Sequence, residues 1–216
     1  MPSVAISDLS RKHVYKLLTG SVIPRPIAWV SSLAAAGTFN IAPFSFFTVV
    51  SSFPPMLGVS IDKTKTDGRE GKDTLRCVRE TGEFVVNIAT AGLLPALVTT
   101  SLEFPGSVDE FEVTGLTPAP CVAIAAPRIR EAPVSFECTL HTAVDLGSSV
   151  LIIGEVQHAH FQPGLVDDSY TVRLQPVGRM PGPTFCTELN QVSAPPLPAS
   201  GLPGLPPWAA SRGLAP

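Results

Sequence analysis

The sequence predicts a mostly-β domain, a small antiparallel barrel with a few short helices, on three observations. Short apolar runs rich in β-branched and aromatic residues recur at 27–33, 56–61, 84–88, 134–146 and 149–161. Tight-turn signals separate them, at Gly37, Pro54-Pro55 and Gly147-Ser148. Helical periodicity is confined to brief inserts. So many strands present many edges, and closing the sheet into a barrel removes them.

Ser7 to Leu18 places Leu9, Val14, Leu17 and Leu18 at near-helical spacing, and Gly20 is positioned to stop the helix. Ile27 to Leu33 reads as a strand, 34–38 as a turn around Gly37, and Phe39 onward as the hairpin partner. Val49 to Phe53 runs into the Pro54-Pro55 stop, and Met56 to Ile61 is the next strand. The polar loop Thr64 to Gly71 leads to Asp73, placed to cap a helix that continues through Leu75 and Val78 to Gly82. Phe84 to Ile88 is a strand, and Leu93 to Ser101 a helix with Pro95 in its first turn. From Cys121 the chain returns to strands, at 121–129, 134–146 and 149–161. Residues 1–190 are thus one domain. From 191 to 216 a Pro-rich segment, with Trp208 its one large anchor, reads as an extended arm.

Composition narrows the function. Hydrophobic residues make up 44% of the 216 and charged ones 15%, enough to bury a sizeable core. A net charge of −3 offers no basic field for nucleic acid or an anionic membrane. No apolar run reaches the roughly 18–20 residues of a membrane span, and the start lacks the pattern of a secretory signal. The 4 cysteines are dispersed, with no CxxC spacing. A cytoplasmic protein with reduced thiols is the expectation.

The stretch Asn40 to Phe47 carries Pro43 inside a strand pattern, which marks an edge or bulge where backbone groups are available to a ligand. An edge strand in an aromatic core fits the same residues. The stretch Arg69 to Leu75 brings a glycine, the Lys72 charge and the Thr74 hydroxyl to a helix start, a combination suited to a phosphate monoester. A capped helix behind a solvated basic loop fits it equally. The spacing of a P-loop, a GxGxxG and a GxSxG are all absent. His158 and His160 share one strand face, but no third ligand is near in sequence, so no metal site is assigned.

Taken together the blocks 24–31 (Pro-Arg-Pro-Ile-Ala-Trp-Val-Ser), 40–47 (Asn-Ile-Ala-Pro-Phe-Ser-Phe-Phe), Pro54-Pro55, Lys72-Asp73-Thr74, 81–87, 109–112, 115–117, Glu137-Cys138 and Gly154-Glu155-Val156 resemble the flavin reductase-like, FMN-binding split-barrel family, in its flavoredoxin-like branch. The resemblance spans about Tyr15 to Phe185. It implies a homodimer of antiparallel split β-barrels of Greek-key type that binds FMN near the subunit interface. By carry-over Ala42, Pro43, Phe44 and Ser45 line the flavin ring, and Ser60, Lys72, Asp73 and Thr74 hold the ribityl phosphate. Arg25 and Asn87 are weaker candidates from matching blocks. The activity implied is hydride transfer from NADH or NADPH to FMN, with a partner monooxygenase among the acceptors it allows. An electron carrier without nicotinamide turnover and a barrel repurposed outside redox chemistry are the rivals. Two departures stand out: Arg179-Met180-Pro181-Gly182 with Phe185 replaces the usual Arg-Leu-Gly-Gly and tyrosine, and Ser148-Ser149 stands where short-chain flavin reductases often carry a histidine.

Overall fold

A computed structural model describes residues 3–64, 71–190 and 192. The chain opens on α1 (Arg11–Ser21), whose start is capped by the Ser10 side chain accepting from the His13 amide. Gly20 lies within α1 rather than ending it, and a 3-10 turn at Ile6–Asp8 occupies the first part of the expected helix. Then follow β1 (Arg25–Pro26), β2 (Ala28–Leu33), β3 (Phe39–Phe44), β4 (Phe47–Ser52), β5 (Pro55–Asp62), α2 (Asp73–Thr81) and β6 (Glu83–Ile88). Two short helices, α3 (Leu94–Thr99) and α4 (Glu110–Thr114), precede β7 (Pro118–Ala119), β8 (Arg128–Ile129), β9 (Val134–Asp145) and β10 (Ser149–Phe161). The hairpin β11 (Gly178–Arg179) and β12 (Phe185–Cys186) adds to β1 in a small separate sheet.

The principal sheet has 7 strands, ordered β3-β2-β6-β9-β10-β5-β4, with every pairing antiparallel. Its two edge strands are consecutive in the chain, joined only through Ser45 and Phe46. The sheet therefore curls until its edges meet. At that seam the Ser60 amide donates to the Phe46 carbonyl at 2.8 Å. This is a split barrel, the form of the predicted antiparallel barrel that the family resemblance implied.

Strand alternation sorts most of the buried apolar residues into two cores, with a smaller cluster around Val85, Ile124 and Ala126. Ala28 and Val30 of β2, Val59 and Ile61 of β5, and Phe84 and Val86 of β6 fill the barrel together with Leu75 and Val78 of α2. Ile27, Trp29 and Ile41 turn the other way, onto Leu97, Phe111 and Ile129. The Trp29 indole donates to Thr100 Oγ1 at 2.9 Å, so its polar edge is satisfied in the interior. One position admits no side chain: a Cβ on Gly154 would lie 2.4 Å from Phe84 Cζ.

Two sequence expectations need correcting here. Asp73 is not the helix cap. Lys72 holds that position and Asp73 is the first helical residue, where its charge faces the positive helix end. Segment 121–127 is irregular rather than a strand, because carboxylates replace a partner strand: Glu137 accepts from the amides of Val122 and Ala123, and Glu83 from that of Ala125. Only Arg128–Ile129 pairs, with β7. The arm from 191 onward lies, save Val192, outside the described residues, as do Arg69 and Glu70 of the phosphate loop.

Candidate functional site

The candidate site lies at the seam. Antiparallel pairing aims the N–H and C=O of alternate residues to opposite sides of a strand. On β3 the Ile41 amide points away from β2, toward Glu110 Oε2 at 3.2 Å. Two residues on, Pro43 occupies the same orientation, where a strand's outward donor would be left over. Proline has none to leave, and its carbonyl aims outward as an acceptor. The edge predicted from Pro43 is therefore present.

Two clefts flank this edge. One, of about 90 Å³, is bounded by β3, the start of α2, the segment after α3 and Glu110. The other, of about 190 Å³, is bounded by Pro43 to Phe46, Ser60, Asp62, Tyr15 and Lys72. They share Pro43, Phe44 and Lys72. Of the residues singled out from sequence, Ala42, Pro43, Phe44, Ser45, Ser60, Lys72, Asp73 and Thr74 all line one cleft or the other.

Lys72 Nζ lies 2.5 Å from the Glu103 carboxylate, at the N-terminal end of α2. The pair shows that an oxyanion can sit on Lys72 beside the helix start. Asp73 pairs with Arg76 at 2.9 Å. Thr74 is buried, and its hydroxyl accepts from the Asn40 amide at 2.8 Å. Asn40 also reaches the Ser32 hydroxyl at 3.4 Å.

Arg25 and Asn87 line neither cleft. Arg25 is buried beneath the seam, donating to Ser45 Oγ and Met180 O, both at 3.4 Å, and to Thr19 O at the end of α1. Burial pushes its guanidinium below the usual range. Its contact with Ser45 makes it a support for the cleft wall. Asn87 is 0% exposed. Its amide nitrogen donates to Trp29 O and Ser31 Oγ, while its oxygen accepts from Ile129 N and Ser135 Oγ. That leaves it no capacity for a ligand.

Asn40 and Glu110 stand out among the lining residues that the sequence did not single out. Asn40 opens the 40–47 block without being named as a contact there, and its signal was a polar residue at an inward position. Glu110 looked like an ordinary acid at a helix start. In the structure it is 8% exposed, and burial pushes its carboxyl up to about 7.

The turn that departs from the usual family pattern is closed in its own way. Arg179 donates to Gly182 O at 2.6 Å and stands 4.5 Å over the Phe185 ring, a cation–π contact where the family often has tyrosine.

The fold and the edge-strand clefts define a flavin reductase-like split barrel. A family model described as "Flavin reductase like domain" matches residues 19–173, and the chain belongs to that family. A protein of Aquifex aeolicus (strain VF5), named only as uncharacterized, is 42% identical over 180 residues, 82% of this chain and 91% of that protein. The crystal structure of nitrilotriacetate monooxygenase component B from Bacillus cereus is 34% identical at a TM-score of 0.85, covering 90% of this chain and 98% of that one. That of 2-nitrobenzoate 2-nitroreductase NbaA from Pseudomonas fluorescens is also 34% identical, with a TM-score of 0.81 and coverage of 93% and 100%. Among the described residues no helix is long and apolar enough to cross a membrane.

Proposed function

We propose that the chain is an FMN-dependent oxidoreductase of the NAD(P)H:flavin reductase type, with FMN seated in the two clefts along β3. The observation that carries this is their meeting at Pro43, Phe44 and Lys72, which sets an apolar edge-strand wall beside a cationic helix start. The donor set suits the cofactor. Ala42 to Ser45 supply the ring wall, with the outward Pro43 carbonyl as an acceptor for a ring N–H. Lys72, Thr74 and Ser60 receive the phosphate, which replaces the Glu103 carboxylate on Lys72 as one oxyanion for another. FMN when bound supplies the redox chemistry, taking hydride from NADH or NADPH and handing electrons onward. The protein then needs only to hold the ring, shield one face and leave the other open. No nucleophile or general acid is required of it.

A homodimer, a cytoplasmic location and delivery of reduced flavin to a partner monooxygenase complete the proposal. The four free cysteines suit a reducing compartment, and the monooxygenase component B relative at 34% identity supports the partner. The site is tested by comparing two ligands. Lys72→Ala should weaken FMN binding by about 1–3 kcal/mol and riboflavin binding by much less, since only FMN carries the phosphate. Equal weakening, read by quenching of flavin fluorescence, moves the phosphate elsewhere.

A further inference from the structure

His158 and His160 have no part in the flavin clefts, and sequence offered them no third ligand. The structure does. Cys121 from the irregular segment before β8, Glu137 from β9 and His160 from β10 bring their donor atoms within 4.8 Å of one another. The convergence has a backbone cause. A bulge in β10 between Val156 and His158 shifts its register, placing His158 opposite Glu137 and His160 opposite Ser135. Glu137 and His160 become diagonal neighbours on one face, and His160 Nε2 comes to 2.5 Å from Glu137 Oε1.

Glu137 is not a surface acid. It is 0% exposed, and its two oxygens accept from the Val122 and Ala123 amides at 2.7 Å each. Those amides follow Cys121 directly, so the carboxylate fixes the segment that carries the thiol. Ligands oriented by hydrogen bonds of this kind are what a metal site requires beyond the donors themselves. On its open side His160 borders a cavity of about 460 Å³ that also exposes Arg128, Arg130 and Gln162. This gives an entry path and room for a solvent ligand.

We propose that Cys121, Glu137 and His160 form a binding site for one thiophilic divalent transition-metal ion of the zinc class. One sulfur, one imidazole nitrogen and one carboxylate oxygen are a zinc-type donor set with a fourth position left to water. The neighbouring arginines oppose binding driven by charge alone, which disfavours Mg²⁺ and Ca²⁺. Seating an ion about 2.0–2.2 Å from nitrogen and oxygen opens the Glu137–His160 pair to about 3.3 Å. The His160 side chain is 21% exposed and lines that cavity. The site is independent of the flavin reading.

The test is a titration of the metal-free full chain, without flavin, using Co²⁺ as the spectroscopic probe and Zn²⁺ as competitor. The expected result is one ion per chain, tetrahedral ligand-field bands, a thiolate-to-cobalt charge-transfer band, and displacement by Zn²⁺ but not by Mg²⁺. Cys121→Ser should abolish the charge-transfer band. It and His160→Gln should each weaken binding by at least about tenfold, while His158→Gln binds as the parent does. Circular dichroism checks that each variant is folded, and Cys121→Ser alone decides the matter if His160→Gln is not. Absence of Co²⁺ binding, or a charge-transfer band that survives Cys121→Ser, overturns the site.

Discussion

Glu110 carries the clearest single-residue consequence. Its amide partner is Ile41, one residue before the proposed ring wall, so its charge state bears on the shape of the edge. Burial raises the folded carboxyl from the ordinary 4.5 to about 7. The folded state therefore holds the proton more tightly than the unfolded chain. Its contribution to stability is fully present below about pH 4.5 and is lost as pH rises through about 7, on the order of 3 kcal/mol in all. Glu110→Gln keeps an acceptor for Ile41 and removes the titration. Urea unfolding at several pH values should then show a parent-minus-variant stability difference that falls across this window. A flat difference contradicts the assignment. Glu131 acts in the opposite direction: burial pushes its carboxyl up, the Thr117 hydrogen bonds outweigh that, and stability is lost as pH falls. Only the difference between parent and variant isolates Glu110. Nothing in the sequence marks Glu110 as buried, because Asp109-Glu110-Phe111-Glu112 reads as an acidic helix start, and the depth comes from the packing of Phe111 against Phe39.

Among the elements, the strands were legible and the irregular stretches were not. Paired β-branched runs with a glycine turn between them, as in β2–β3 and β9–β10, contain their own register information. Pro43 gave away an edge from sequence alone, since a central strand does not tolerate it. By contrast the backbone of 121–127 is satisfied by carboxylates from β6 and β9, a long-range solution invisible to local pattern. Helix α4 is only five residues, too short for periodicity to register. The pairing of β6 with β9 also explains Gly154 of β10, because it sets Phe84 and Cys138 side by side against that position. A methyl there meets Phe84 Cζ at 2.4 Å and Cys138 Cβ at 3.0 Å, so Gly154→Ala should cost about 1–3 kcal/mol through overpacking. Chemical denaturation checks this, and Phe84→Leu in the same chain should recover part of the loss. Strict additivity of the two substitutions means the clash lies elsewhere.

For the whole molecule, the barrel followed from the count of strands and the brevity of the helices, but its seam did not. That the edges meet at Ser45–Phe46 is a property of strand order, and strand order depends on contacts distant in sequence. The seam is what turns Pro43, Ser60 and Lys72, far apart in the chain, into walls of adjoining clefts. Family membership agrees with the split-barrel fold. The central claim is that the seam holds a flavin which the protein reduces. The most direct measurement is anaerobic mixing of the FMN-loaded protein with NADH and, separately, NADPH, followed at the flavin absorbance with excess FMN present. One nicotinamide should bleach the yellow protein and keep turning over the added FMN. A yellow protein left oxidised by both, or a colourless one that ignores FMN, contradicts it.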